Sequence, residues 1–249
     1  MNVVFLTADD PIYLPDFFER VLSGISTHRA AVFRVPPLYA RQSSLSAAWR
    51  YARTVGPASA AHLAWRVARA RASGRSIAAV CRAHGVPCEI ASDVNAPAFL
   101  ESLAAGAPDL VVSVSCPQLF RPALISLPKS GLVNVHGAIL PEYRGVLPAF
   151  WMLANGESRA GVSVHFVDEG IDTGDVCGQE VFEILPGESL DAFLRRSKRV
   201  AADLVVKVID AFARGAVSRR PIDARNGSYY SWPDREAVAR FRARGRRVW

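Results

Sequence analysis

An amide, an imidazole and a carboxylate stand near one another in the second half of this chain. Asn134 and His136 are separated by a single residue in LVNVHGAILPEYRG (132–145), and Asp172 follows in SVHFVDEGIDTGD (163–175). An acyl transfer to an amine needs such a set: a donor for the oxyanion of the tetrahedral intermediate, and groups that take the amine's proton and return one to the leaving nitrogen. A neutral amide such as Asn134 can donate to the oxyanion. His136 can donate as imidazolium or shuttle a proton. Asp172 can hold His136 charged, or accept the amine proton directly or through water. A carboxylate beside His136 is expected to raise the histidine's pKa. An isolated Asn-x-His pair more often satisfies backbone groups in a turn. The Asp-bearing loop downstream gives this pair its weight.

The elements around these residues read as alternating strands and helices. Asn2–Thr7 is a short apolar run suited to a buried strand, and a helix is expected near Pro15–Leu22. The intervening turn has no glycine, which argues against an NAD or FAD site, because a pyrophosphate needs close backbone approach there. Strands are expected at Ala30–Val35, Pro87–Ile90, Asp109–Ser115 and Gly131–Val135, and helices at Ser76–His84, Ala96–Ala105 and Pro117–Leu124. A strand pair, Gly161–Asp168 and Val176–Glu183, flanks the Asp172 loop, and Ser189 caps a long helix to about Arg214. This alternation predicts an α/β fold with a Rossmann-like, doubly wound, mostly parallel sheet over residues 1–215 and a short C-terminal extension, 216–249. Ligands in such sheets sit beyond the carboxyl ends of the strands, where Asn134 and His136 fall.

Composition narrows the class. Half of the 249 residues are hydrophobic, enough for a sizeable core, and no run is long and apolar enough to predict a spanning helix. The start, MNVVFLTADDPIY, lacks a basic n-region and reads as a strand rather than a signal peptide. Cys81, Cys88, Cys116 and Cys177 lack metal-type spacing and are expected as free thiols of a cytoplasmic protein, with no metal site. The net charge is +7, and seven arginines with no acid lie between 41 and 75. They either reflect the chain's general use of Arg over Lys or form a basic patch for phosphate or a peripheral membrane contact. Two helices are expected in 41–75, broken at Gly56-Pro57. In the second, Leu63, Val67 and Ala70 form a stripe expected to face the core, with a membrane-surface or subunit-interface helix as the alternative.

Four ordered motifs carry a family resemblance: Asn-x-His at 134–136, Leu-Pro-x-Tyr-Arg-Gly at 140–145, the Ser-Val-His-Phe strand at 163–166, and Asp-x-Gly-x-Asp-x-Gly at 168–174. Over roughly residues 75–215 the chain resembles the folate-dependent formyltransferases, which act on glycinamide ribonucleotide, methionyl-tRNA or amino sugars. The resemblance implies Asn134, His136 and Asp172 as catalytic residues and 10-formyltetrahydrofolate as co-substrate. It implies a folate cleft lined by Ser115, Cys116, Pro117, Gln118 and Leu119 on one side and Val167, Asp168, Glu169, Gly170 and Ile171 on the other. Pro141, Tyr143 and Arg144 would shape the amine pocket, and His165 would either pack structurally or touch a ligand. Gly137-Ala138 departs from many relatives, which carry a hydroxyl there.

The acceptor expected is a small-molecule primary amine, chiefly a nucleotide-linked amino sugar, or another small amine of specialised metabolism. Methionyl-tRNA formylation and formyltetrahydrofolate hydrolysis are alternatives. The tRNA enzymes resembled carry a C-terminal tRNA-binding domain, for which 216–249 is short, so no nucleic acid is expected as partner. The hydrolases typically carry an amino-terminal regulatory domain, which is not expected here. A homodimer is left open. In the tail, Tyr229, Tyr230 and Trp232 either offer flat faces to a base, with Trp232 as a substrate contact, or pin the tail to the core.

Overall fold

The computed structural model describes residues 1–37 and 56–249. Its centre is a seven-stranded sheet in the order β3-β2-β1-β4-β5-β7-β8. The strands are β1 (Asn2–Thr7), β2 (Arg29–Arg34), β3 (Cys88–Ile90), β4 (Leu110–Val114), β5 (Leu132–His136), β7 (Arg159–Phe166) and β8 (Val176–Glu183). The first five are mutually parallel, while β7 runs antiparallel to both β5 and β8. A separate two-stranded ladder joins β6 (Arg144–Gly145) to β9 (Tyr229–Tyr230). The sheet is therefore doubly wound and mostly parallel. Strand order reverses between β1 and β4, and that is where such sheets open a ligand crevice.

β1 shows why the centre is stable. It is apolar on both sides, as a strand covered on two faces must be. Val3 and Phe5 pack with α1 (Leu14–Gly24) and the long helix, while Val4 and Leu6 join the opposite cluster with Leu103 and Leu124. The long helix, here α7 (Leu190–Ala213), starts where Ser189 Oγ accepts the Ala192 N–H, and buries Phe193, Ala201, Leu204, Val205 and Val208. The other helices are α2 (Pro57–Ala72), α3 (Ile77–Ala83), α4 (Pro97–Ala105), α5 (Pro122–Ile125), α6 (Pro148–Asn155) and α8 (Arg235–Ala243).

Two sequence expectations need correction. The helix expected over Pro117–Leu124 forms only at Pro122–Ile125, with Pro122 in the first turn. Residues 117–121 instead cross the sheet end, where the Gln118 side chain accepts from the Val94 N–H at 3.0 Å and donates to the Pro36 and Ser92 carbonyls at 2.8 Å each. The second helix of the basic stretch forms as α2, but it buries no residue. Leu63, Val67 and Ala70 do mark its less exposed side, but none of them joins a core cluster, and Leu63 lines the cavity described below. The first helix expected there, with Arg41, Arg50 and Arg53, lies outside the described residues.

Residues 216–249 fold back onto the body. β9 pairs with β6, and Phe241 of α8 stacks on Phe150 of α6 with ring centroids 5.0 Å apart. Beyond α8 the backbone returns to the start of α7, where Leu190 N–H and Asp191 N–H donate to the Arg247 and Val248 carbonyls at 2.9 Å. Two arginines of the basic stretch are internal ties, Arg66 pairing with Asp191 and Arg75 with Asp16, and Arg244 donates to the Ala154 carbonyl. All four cysteines are free thiols, Cys81 and Cys177 buried and Cys88 and Cys116 partly so. Among the described residues no helix is long and apolar enough to cross a membrane.

Candidate active site

Sheet register sets a polar row. Ser113 on β4, Asn134 on β5 and His165 on β7 are direct neighbours across three strands. Ser113 Oγ donates to Asn134 Oδ1 at 2.8 Å, which turns the amide nitrogen toward His165 Nε2 at 3.3 Å and Asp172 Oδ1 at 3.4 Å. His136 lies two residues along β5, hence on the same face as Asn134. A break in register between Val164 and His165 lies beside the row, the kind of bulge that re-aims a side chain.

Asp172 arrives from the loop between β7 and β8. Its backbone holds φ +53, a left-handed conformation unfavourable for a side chain with a Cβ. The Gly145 N–H donates to Asp172 Oδ2 at 2.9 Å and fixes it. Each carboxylate oxygen then meets an imidazole: Oδ2 lies 3.5 Å from His136 Nδ1, and Oδ1 lies 3.4 Å from His165 Nε2. Burial alone would raise the Asp172 pKa. The hydrogen bond from His165, the neighbouring His136 and the Gly145 N–H outweigh it and bring the carboxyl down to about 2. It is ionised at neutral pH.

His136 behaves contrary to the sequence expectation. Its pKa is lowered, because burial in the sheet end outweighs the attraction of Asp172. Neutral His136 donates from Nε2 to the Tyr143 carbonyl at 2.8 Å, which leaves Nδ1 as the basic nitrogen beside Asp172. A proton arriving on Nδ1 would be held against a carboxylate. The Asn134 amide is held on its oxygen side by Ser113. Its two nitrogen contacts are long compared with the usual 2.9–3.0 Å, roughly, so an incoming oxygen can displace them.

The row and Asp172 open into a cavity of about 770 Å³ bounded by the ends of β1, β4 and β5, the start of α7 and the chain's last residues. The sequence pattern that defines formyl transferases matches residues 64–209, more than half of the chain, and the whole row lies within that stretch. The chain belongs to the formyl transferase family. Methionyl-tRNA formyltransferase of Trichlorobacter lovleyi is 32% identical over 146 residues, 59% of this chain and 46% of that one. The enzyme of Syntrophus aciditrophicus is 36% identical over 136 residues, 55% of this chain and 44% of that one. The chain thus spans about half the length of the curated relatives it matches. Among solved structures, glycinamide ribonucleotide transformylase 1 from Symbiobacterium toebii superposes with a TM-score of 0.63 at 19% identity, covering 90% of this chain and 94% of that one. A sugar N-formyltransferase from a Shewanella species gives 0.61 at 16% identity, covering 93% and 77%. At these identities the structures show that the fold is shared.

Within this formyl transferase fold, most residues expected to line the folate cleft do line the cavity: Ser115, Cys116, Gln118 and Leu119 after β4, and Val167, Asp168, Glu169, Gly170 and Ile171 after β7. His165 and Trp232 line it too. Pro117 does not. Gln118 is spent on the three backbone groups named above, so its amide is a structural tie. Pro141, Tyr143 and Arg144 lie behind the wall rather than on it. The Tyr143 ring stacks on Tyr230 at 5.2 Å and its hydroxyl donates to Glu157 at 2.5 Å, while Arg144 donates to the Ala224 carbonyl at 3.0 Å. Tyr143 reaches the site through its carbonyl, the acceptor for His136.

Sequence reasoning passed over Ser113, Tyr13, Asp191 and Lys198, all of which line the cavity. Ser113 had a signal, since it stands in a strand ending beside the Asn134 strand. Tyr13 Oη donates to Asp191 Oδ1 at 2.7 Å across 178 residues, a pairing that no local pattern announces. Among the described residues no group of three or more His, Cys, Asp or Glu is placed to hold a metal ion.

Proposed function

We propose that this protein transfers a formyl group from 10-formyltetrahydrofolate to a primary amine of a small molecule, with a nucleotide-linked amino sugar as the leading acceptor. The observation that carries the reading is the convergence of Asn134, His136 and Asp172 on one cavity in a member of the formyl transferase family. In this reading His136 Nδ1 takes the proton of the attacking amine and Asp172 stabilises the imidazolium. Asn134 turns its amide donors to the oxyanion, and the imidazolium returns the proton to the leaving nitrogen of the folate. The cavity residues after β4 and β7 other than the tied Gln118 would hold the folate. The chain divides into a catalytic unit, 1–215, and an extension, 216–249, that supplies part of the acceptor wall through Tyr229 and Trp232.

Support for the acceptor comes from fold relatives. A Helicobacter canadensis N-formyltransferase is described in complex with folinic acid and dTDP-3-aminofucose, at a TM-score of 0.58 and 15% identity. A formyltransferase from Anoxybacillus kamchatkensis is described with a UDP-linked formamido sugar and tetrahydrofolate, at 0.55 and 17% identity. A second reading, methionyl-tRNA formylation, is favoured by the higher identity of the relatives matched in sequence. One experiment separates them. The full chain is incubated with 10-formyltetrahydrofolate and, in turn, a panel of nucleotide amino sugars and charged initiator tRNA. The expected result is a gain of one formyl group on a sugar. Formylated methionyl-tRNA would replace the acceptor, and formate released with no acceptor modified would replace transfer by hydrolysis.

A further inference from the structure

A helix-to-strand turn brings Cys81 and Cys88 together. Cys81 is on α3 and Cys88 opens β3. Between them the chain reverses, and the Val86 N–H donates to the Cys81 carbonyl at 2.8 Å. Cys88 pairs with Val32 of β2, so it lies on the face of the sheet that Val32 turns toward the cluster holding Cys81. The two thiols share a hydrogen bond there. Their exposure differs: Cys81 is fully buried, while Cys88, on the edge strand, is only partly so.

A cation stands beside the pair. Arg34 is two residues beyond Val32 on β2, hence on the same face, and its guanidinium reaches the Cys88 sulfur. That guanidinium also pairs with Asp9 at 3.4 Å, and its Nε is buried with no hydrogen-bond partner. A Cys88 sulfur that turns negative therefore finds two donors, the Cys81 S–H and Arg34. The Cys81 hydrogen bond, helped by Arg34, brings the Cys88 pKa down despite burial. The same bond, together with burial, pushes the Cys81 thiol up. At the other two cysteines burial dominates, pushing Cys116 up to about 11 and Cys177 up to about 12.

We propose that Cys81 and Cys88 form a reversible oxidation site, in which Cys88 reacts with a hydroperoxide and Cys81 resolves the product to a disulfide. The Cys88 thiolate attacks one peroxide oxygen. An S–O bond forms, the O–O bond breaks, and the leaving oxygen takes a proton to become water or an alcohol, which leaves Cys88 as a sulfenic acid. The Cys81 sulfur then attacks the sulfenic sulfur and gives up its proton, and the sulfenic oxygen leaves as water. Two electrons have passed from the sulfurs to the peroxide, and a dithiol returns them by exchange. Cys81, Cys88 and Arg34 do not line the large cavity, so the site is separate from the catalytic row and does not rest on formyl transfer.

The unaltered full chain decides the matter. It is reduced, freed of reductant and exposed to hydrogen peroxide at neutral pH, and its mass and peptides are followed. Cleavage after Arg82 and Glu89 separates Cys81, Cys88 and Cys116. The expected product is lighter by two hydrogens, with Cys81 and Cys88 joined and Cys116 and Cys177 still free, and dithiothreitol reverses it. The rate of Cys88 alkylation by iodoacetamide should rise with pH through a midpoint below the ordinary thiol value of about 8.5. In Cys81→Ala, Cys88 should stop at a sulfenic acid that dimedone traps, and its alkylation midpoint should move up. If peroxide leaves the pair reduced while it consumes free glutathione, or joins other cysteines first, the proposal is overturned. The first two readings come from the unaltered chain, so they remain decisive even if Cys81→Ala, a change at a buried position, fails to fold.

Discussion

One part of the cavity wall, with Asn134, His136 and Asp172, is made of strand ends and the loop between β7 and β8; another, with Tyr13, Asp191 and Lys198, is made of a loop and a helix tied together by hydrogen bonds and ion pairs. In the first part, neighbouring strands fix Ser113, Asn134 and His165 in one row, and the Gly145 N–H fixes Asp172. In the second, the ties span the chain: Tyr13 to Asp191, Arg66 to Asp191 at 2.7 Å, and the Arg66 guanidinium 4.7 Å from the Trp249 ring. The difference teaches where this fold spends rigidity. Asn134 and His136 sit on the sheet, and Asp172 is held against them from its loop by the Gly145 N–H. The helix side is held instead by single ties between distant segments, Tyr13 and Arg66 to Asp191. The family match covers Asn134, His136 and Asp172 and, on the other side, Asp191 and Lys198, while Asp10, Tyr13, Tyr229, Trp232 and Trp249 line the cavity outside residues 64–209.

The largest expected effect tests the sheet side. His136→Ala should lower kcat by about 10²–10⁴, the usual contribution of a positioned acid–base group, with folate binding nearly unchanged. A loss smaller than tenfold would show that the row is structural. Asp191→Asn should leave kcat within a few-fold; an equal loss in both variants would erase the distinction between the two parts of the wall.

The tail aromatics divide in the same way. Tyr230 is stacked between Tyr143 and Trp151 at 5.2 and 4.6 Å, and its hydroxyl accepts from Asn155 at 3.0 Å. Tyr230→Ala should cost roughly 2–4 kcal/mol of stability, read by denaturant unfolding. Trp232 and Tyr229 are 39% and 51% exposed and line the cavity. Trp232→Ala should raise the acceptor KM by about tenfold, within the roughly 1–3 kcal/mol range of stacking, and leave the folate KM and the melting temperature unchanged. The reverse pattern, lost stability with both constants intact, would make Trp232 a pin like Tyr230.

A pH measurement sharpens the electrostatics of the sheet side. Because burial lowers the His136 pKa, its C2–H titration by NMR should have a midpoint below the ordinary 6.5. Asp172 opposes that shift, so Asp172→Asn should move the midpoint lower still. A midpoint above 6.5 in the wild type, or one that rises in the variant, would contradict this balance of burial and charge.

Much of the sheet side was legible in the sequence because its signals are local. An apolar run ends in Asn-x-His, and period-two alternation puts both side chains on one face. The helix-side residues gave weaker signals. Lys198 and Asp191 lie on α7, whose apolar stripe explains the helix completely and leaves its charged residues looking like a solvated face. The stripe Leu63, Val67 and Ala70 marks the less exposed side of α2 without showing how deep it lies: α2 buries no residue, and Leu63 lines the cavity. The motif at 140–145 was legible as a motif, but nothing in a sequence distinguishes a side chain that touches ligand from a carbonyl that holds His136.

The smallest effect probes the helix side at its most buried tie. Tyr13 Oη donates to Asp191, and burial together with that carboxylate raises the phenol's pKa well above its ordinary value, so it stays neutral and keeps donating. Tyr13→Phe removes one donor and keeps the ring. Asp191 retains Arg66 at 2.7 Å and Arg195 at 3.2 Å, so no charge is stranded, and the loss should be about 1 kcal/mol in denaturant unfolding. Tyr13 makes no hydrogen bond to Asn134, His136 or Asp172, so kcat should stay within twofold. If Tyr13 only braces the wall, both KM values stay put as well. If the brace holds the crevice in register for the acceptor, the acceptor KM rises and the folate KM does not. A fall in kcat larger than the change in KM would mean that the two parts of the wall move together, and the division of labour argued from their construction would fail.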